Sequence, residues 1–401
     1  MGIANKNKLP SGWTTVNLGK IVNIKYGKGL PTKKLTERGY PVFGANGIIG
    51  FYTDYLYEEE QVLISCRGAY SGKINWSPAK CYITNNSLVL ETPSEIKDIK
   101  KYLFYALQSA DKSKIVTGSA QPQVTINNVI DLIIPLAPHY EQKLIVAEIE
   151  KQFSRLDEAV ENLKRVKANL KRYKASVLKA AVEGTLINTI TENTSFFVEN
   201  WQPIESALVT LDQGWSPKCD RLQANGPEWG VIKTSAVQAL QYIEWENKRL
   251  PESIEPRRHL ELQKNDLLVT RAGPRKRVGV CCLVRSTRSK LILCDKVYRL
   301  RCNHEVALPG YLELVLNAPQ IKESINELKT GISDSGVNLT QKRFKALRIP
   351  LPSVELQIQI ESEVQRLWSI ADSATLSTTE GSARCQRLRQ SILKKAFSGQ
   401  L

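Results

Sequence analysis

Apolar residues return at every seventh position along 149–177: Ile149, Leu156, Leu163, Leu170 and Val177. That spacing keeps one seam of a helix turned toward a partner helix. A companion track runs through Phe153, Val160, Lys167, Lys174 and Ala181. It turns polar midway, where Val166 and Tyr173 take over one position earlier and widen the stripe. No Pro or Gly interrupts 141–183, and Gly184 follows as a C-cap. At about 1.5 Å per residue the segment predicts a rod of roughly 65 Å, too long to stand alone in water.

Elsewhere the pattern shortens. Val62–Ser65 and Leu267–Thr270 read as strands, each running into a turn at Gly68 or Gly273, and Cys281 and Cys282 sit in a buried strand, "VGVCCLV". Short strands mixed with helical pieces such as "IKKYLFYALQS" predict small α/β domains.

The long helix is written twice. "SVLKAAVEGTL" at 176–186 returns as "SILKKAFSGQL" at 391–401, with Ser, Leu, Lys, Ala, Gly and Leu in place. Shifting by 215 residues also lays Ile134-Pro135-Leu136 on Ile349-Pro350-Leu351, Gln142 on Gln357 and Asp157 on Asp372. Phe153 meets Trp368, Ile149 meets Val364, Val177 meets Ile392, and Thr125 meets Thr340. A period this long marks a duplicated domain. The middle of the second copy, "TLSTTEGSARC", is a poor helix former, which predicts a weakened or kinked centre.

A globular segment precedes each helix, and the two share faint landmarks. Trp13 and Trp201 open them, and each then places a Gly (Gly27, Gly214) before a Pro with Lys close by. The layout is globule, helix, globule, helix. Helices alike and globules different imply a common partner for the helices and a separate one for each globule.

Charge narrows the class of partner. Lys and Arg number 56 against 40 Asp and Glu, a formal charge of +16 in 401 residues. Such a balance favours a polyanion, nucleic acid above all. Between Arg271 and Arg301 stand ten basic residues and one acid, Asp295. No apolar run is long enough to span a bilayer, so no membrane is expected. Eight cysteines without regular spacing, and an N-terminus without an apolar signal region, suit a reducing cytoplasm.

Catalytic signatures are missing. "GAYSGKI" is one residue short of a phosphate-binding loop and continues into Ile rather than Ser or Thr. There is no HExxH, GxSxG or dinucleotide fingerprint, and "NAPQ" at 317–320 is a shadow of the adenine-methylation signature. The acidic runs "YLYEEEQ" and "SEIKD" lack metal-ligand spacing and read as surface, so no metal site is expected.

The lead-in "PLAPHYEQKLIVAEI", with Pro135, Pro138, Glu141 and Gln142, and the closing "LKAAVEGTL" resemble the specificity subunits of Type I restriction–modification systems. "YPVFGANGIIGFYTD" at 40–54, with "RGAYSGKI" at 67–74, is similar to one class of their target recognition domain. The second lead-in, "PLPSVELQIQI", departs from the family's Glu-Gln.

The resemblance implies a mixed α/β fold and four segments. Target recognition domains at 1–138 and 188–352 alternate with spacer helices at 139–187 and 353–401. The helices would pack as an antiparallel coiled coil about a pseudo-two-fold axis, through Ile149, Phe153, Leu156, Val160, Leu163, Leu170, Val177, Val364, Trp368 and Ile392. It also implies a non-catalytic subunit that binds no cofactor and reads a bipartite duplex DNA target, one half per domain. Two methyltransferase subunits would dock on the helices, with restriction and translocase subunits in the full complex. S-adenosylmethionine, ATP and magnesium would belong to those partners.

Expected DNA contacts in the second domain are Arg271 or Arg275 on guanine, Lys276 and Arg277 nearer phosphate, with Lys218 and Lys233 in support. In the first domain they are Arg67, Tyr70 and Lys73, with Asn46 suited to adenine. Two other readings stay open: the same reader role in a related modification–cleavage assembly, or a coiled-coil scaffold whose basic domains bind RNA or another acidic partner.

Overall fold

The computed structural model describes residues 9–93, 96, 99–113, 115–118, 121–187 and 201–401. The start of the chain, most of the "SEIKD" run and the expected boundary at 188 lie outside the described residues. Contacts gather the chain into two units, Met1–Lys164 with Thr379–Leu401, and Arg165–Thr378.

In the first unit β1 (Thr14–Asn17), β2 (Asn23–Tyr26), β3 (Tyr40–Phe43) and β4 (Ile48–Tyr52) come first. Then follow β5 (Val62–Ser65), β6 (Ile74–Trp76), β7 (Tyr82–Ile83) and β8 (Ser87–Glu91). Helices α1 (Ile99–Ser109) and α2 (Ile126–Ile130), strand β9 (Ile133–Leu136) and the long α3 (His139–Glu183) complete the series. An antiparallel sheet runs in the order β2-β8-β5-β6. A smaller one, β4-β3-β7, joins one antiparallel and one parallel pair, and β1 pairs with β9.

"VLIS" is apolar without alternation because both faces of β5 are covered. Val62 and Ile64 join the core beneath α1, whereas Leu63 packs with Phe43 and Ile83 of the small sheet.

The second unit repeats this plan. Its strands are β10 (Trp201–Pro203), β11 (Leu208–Gln213), β12 (Gly230–Ile232), β13 (Val237–Gln238), β14 (Gln241–Tyr242) and β15 (Asn247–Arg249). They continue with β16 (Leu267–Thr270), β17 (Ala272–Gly273), β18 (Cys281–Leu283), β19 (Leu291–Ile292), β20 (Val297–Cys302), β21 (Val337–Asn338) and β22 (Arg348–Pro350). Helices α4 (Pro309–Asn317), α5 (Pro319–Leu328), α6 (Gln341–Lys345) and α7 (Val354–Ala396) follow in chain order around them. The sheets run β11-β20-β16-β18 and β15-β12-β19, with β10 on β22. The shared landmark glycines have one cause. A Cβ on Gly27 would lie 2.3 Å from the Thr84 carbonyl oxygen, and one on Gly214 2.3 Å from those of Leu293 and Cys294.

The matched residues do matching work. Thr125 and Thr340 cap α2 and α6 by accepting the backbone N–H three residues on. The buried Tyr102 hydroxyl donates to the Pro135 carbonyl at 3.0 Å, and that of Tyr311 to Pro350 at 3.1 Å. Buried Gln142 donates to the Ala137 carbonyl and buried Gln357 to that of Pro352, both at 2.8 Å. Each long helix also ends alike, with Gly184 at φ 74° and Gly399 at φ 72°. The following residue bonds back to Ala180 or to Lys395.

Within the first unit, α3 and α7 run antiparallel. Arg389 lies over the Phe153 ring, 4.6 Å from its centroid, and pairs with Asp157, while Leu163 reaches Gly381. Within the second, Lys174 lies over the Trp368 ring at 5.3 Å and pairs with Asp372. These two triads correspond residue for residue under the 215-residue shift.

Of the expected seam, Ile149 and Phe153 are buried in the first unit's core, with Leu156 and Ile392 partly buried against it. Val177 and Val364 are buried in the second unit's core, with Trp368 at its edge. Val160, Leu163 and Leu170 are half-buried. Two expectations change. Val166 and Tyr173 are 44% and 40% exposed rather than part of the stripe. Helix α7 is unbroken through Gly381, where the missing side chain admits Leu163 and the Thr375 and Thr378 hydroxyls bond back to Ala371 and Thr375.

The junction of domain and helix differs between units. In the first it is an aromatic ladder of Trp76, Phe104, Tyr105 and Phe153, with centroids 5.2–5.7 Å apart. In the second, Glu313 stands two residues past Tyr311, as Phe104 stands past Tyr102 in the first, and is fully buried. It accepts the Leu283 N–H and holds Arg285 at 2.5 Å. Glu361 of α7 faces the start of α4 with one carboxylate oxygen buried and unpartnered.

Burial pushes the Glu361 carboxyl up, opposed by the Tyr311 N–H and Arg285 and reinforced by Glu313. A raised folded-state pKa means the cost of ionisation is absent at acid pH and grows as pH rises through and above the ordinary value of 4.5. Glu361→Gln should therefore raise Tm at pH 7.5, on the order of 2 °C, and the gain should vanish near pH 4. Thermal melts of both chains across that range check it.

Candidate nucleic-acid interface

The sheet order brings four loops of the first unit to one end. They follow β2, β3, β5 and β7, and span 27–31, 44–47, 66–73 and 84–86. Backbone and side-chain bonds stitch them together. Lys28 N–H donates to Ile83, Cys66 N–H to Asn86, and the Ser87 hydroxyl to Gly44. None of the four loops contains Asp or Glu.

Three of the expected contacts meet there. The Lys73 ammonium bonds the Asn46 amide oxygen and lies 5.6 Å from the Tyr70 ring centroid. That bond uses one lone pair of the Asn46 amide oxygen, and the amide keeps its NH₂ donors and a second lone pair, the donor–acceptor pair that suits adenine. Arg67 and Lys28 are exposed and, among the described residues, make no side-chain ion pair or hydrogen bond. Lys28, Asn85 and Asn86 were not among the expected residues. What places them is their position between paired strands, a tertiary fact.

The second unit gathers the equivalent loops 214–219, 233–236, 271–280 and 294–296. Trp215 N–H donates to Leu293 and Arg271 N–H to Lys296, repeating the bonds of the first unit. Lys218, Lys233, Arg271 and Arg277 are thus brought to one end. Lys248 and Lys296 join them, lining a cleft with Lys233, Ser216 and Asp295.

The basic run from Arg271 to Arg301 is largely spent on the fold. Arg299 is buried and binds Asp212 at 2.8 Å, and Arg301 binds Asp266 at 2.9 Å. Arg285 holds Glu313, Arg288 donates to the carbonyls of Ala224 and Glu228, and Lys290 to that of Pro227.

Arg277 has three acceptors, Gln238 at 2.8 Å, Thr234 O at 2.7 Å and Val237 O at 2.9 Å. It shapes the loop. Arg275 pairs with Asp334 at 2.9 Å. Arg271 donates to Asp295 O and stacks over Tyr298, its Nε buried and unpartnered. Lys276, Lys296, Lys218 and Lys248 are exposed and, among the described residues, without an ion pair.

Among the described residues no cluster of His, Cys, Asp and Glu is arranged to hold a metal ion. Among the described residues no helix is long and apolar enough to cross a membrane. The cysteines are free, and burial pushes the Cys281 and Cys282 thiols far up, which leaves them unreactive.

Residues 10–172 match the family described as the Type I restriction modification DNA specificity domain. The chain is 32% identical to the Type I restriction enzyme EcoKI specificity subunit of Escherichia coli strain K12, across 98% of this chain and 90% of that one. It is 39% identical to the EcoEI specificity subunit of Escherichia coli over 173 residues, 43% of this chain and 29% of that relative. The fold is similar to the HsdS subunit from Thermoanaerobacter tengcongensis, with TM-score 0.56, 18% identity and 99% of both chains covered. A chain solved in a study of complex assembly and conformational transition of the type I R-M system gives TM-score 0.65 at 19% identity. That likeness covers 98% of this chain and all of the other.

Arg277 and Lys276 are neighbours with opposite roles, and substitution separates them. Arg277→Ala strands three buried or half-buried acceptors and should cost about 2 kcal/mol of stability. Lys276→Ala should stay within about 0.5 kcal/mol of the parent. Denaturant midpoints of the two variants check this.

Proposed function

This chain belongs to the Type I restriction–modification specificity-subunit family, the non-catalytic DNA-recognition component of such systems, and we propose that it reads a bipartite, asymmetric duplex target. Each unit reads one half through its four gathered loops. The supporting observation is the duplicated loop end. One skeleton occurs twice, with unpaired cations at both copies and different side chains in each.

Affinity comes from ammonium groups on phosphate: Lys28 in the first unit, and Lys218, Lys248, Lys276 and Lys296 in the second. Base edges are met by Arg67, Lys73, Asn46 and Tyr70 in one unit and by Arg271 and Lys233 in the other, both near the tips of rigid strands. Arg275 and Arg277 hold the second reading loop in shape.

Two methyltransferase subunits dock on the repeated helices, and restriction and translocase subunits complete the assembly. The exposed pair Tyr173 and Leu388 supports this, since the 215-residue shift superposes them and they are 40% and 42% exposed, one in each unit. S-adenosylmethionine, ATP and magnesium act on those partners.

The direct test is a methylome from a host lacking other methylation, expressing the chain with its cognate methyltransferase. The expected result is a two-part motif with a fixed unspecified gap. Unmodified DNA from an assembled complex supplied with methyl donor refutes the reading. A second outcome concerns salt. Replacing Lys218, Lys276 and Lys296 together by Ala should lower the slope of log affinity against log salt by roughly 2–3, about 0.9 per phosphate contact. Filter-binding titrations from low to moderate salt measure it.

A further inference from the structure

Past the turn at 44–47 two consecutive isoleucines stand in water, Ile48 55% and Ile49 53% exposed. Successive residues of a regular strand point to opposite faces, so one of such a pair is normally covered. The register explains the exception. Phe43 faces Ile48 and Val42 faces Gly50, leaving Ile49 as the extra residue of a β-bulge. Gly47 and Gly50, at φ 143° and 153°, bracket the pair. The Ile49 side chain fills the space above Gly44, where a Cβ would come within 2.7 Å of it. Bulge and glycines together leave both isoleucines exposed just past the β3–β4 hairpin turn, on the edge strand of the β4-β3-β7 sheet.

The neighbours say what meets them. Asn46 and Lys73 lie beside the tip, Arg67 is on the adjoining loop, and the four loops carry no acid. An apolar tip ringed by donors suits a polyanion that itself offers an apolar group. The major groove of duplex DNA is wide enough for the edge of a hairpin, and on its floor the apolar group is the 5-methyl of thymine. Resting on the DNA-reading role proposed above, we propose that Ile48 and Ile49 contact a thymine methyl in the half-site read by the first unit. They are specificity-determining residues for that base pair. Lys73 and the Asn46 amide donate to acceptors on the adjacent bases.

The experiment uses the assembled complex and duplexes carrying the mapped motif, with each thymine replaced in turn by uracil, which lacks only the methyl. One thymine, in one half-site, should lose about fourfold in affinity on replacement, the effect of one buried methyl. With the Ile48→Ala/Ile49→Ala complex the same replacement should change nothing, while the salt slope stays that of the parent. Uracil neutral at every position overturns the proposal. So does a double variant that still senses the methyl, or one that fails to assemble with the methyltransferase, which would make the tip a protein contact. A complex with no fixed motif would instead refute the bipartite reading itself, a result separate from the uracil series.

Discussion

A buried glutamine amide at the first turn of each long helix fixes where the helix leaves its domain. Gln142 reaches back to the Ala137 carbonyl; Gln357 reaches Pro352 and Val306 and also accepts the Leu308 N–H. The tyrosine hydroxyl of the domain closes the same joint from the other side, on Pro135 or Pro350. These groups are out of water, and leaving one unmade costs about 1–3 kcal/mol, so the joint has one geometry. The gathered loop ends are then held at a set orientation to the helix within each unit.

Around that shared joint the copies have diverged where divergence is tolerated. One fills the space beneath its helix with aromatic rings packed edge to face, the other with the ionic group of Glu313, Arg285 and Glu361. The loops differ further. The first unit presents amides, one lysine over a tyrosine and two bare isoleucines; the second presents scattered lysines and a half-buried arginine. One skeleton with two different loop surfaces is what the proposed asymmetric target would require.

Much of this was legible in the sequence because it is local or repeated. The heptad seam, the strands at Val62–Ser65 and Leu267–Thr270, helix α1 and the cap at Gly184 depend on neighbours a few residues away. The 215-residue register was legible because both copies need the same threonine cap, glutamine and aspartate. The basic run was misleading, since the acids that neutralise it are distant in sequence: Asp212 lies 87 residues from Arg299, and Asp334 59 from Arg275. The unbroken run of α7 through Gly381 was also hidden, because the space that glycine leaves is filled by Leu163 of the other helix. Lys28, Lys296 and the two isoleucines acquire meaning only when the sheet order brings four loops together.

The central claim is that each unit reads its own half of the target independently. The most direct measurement maps the motif methylated by a complex carrying Asn46→Ala and Lys73→Ala. Relaxation confined to one half, with the other half and the gap unchanged, is the predicted result. Relaxation of both halves, or an altered gap, would contradict the account.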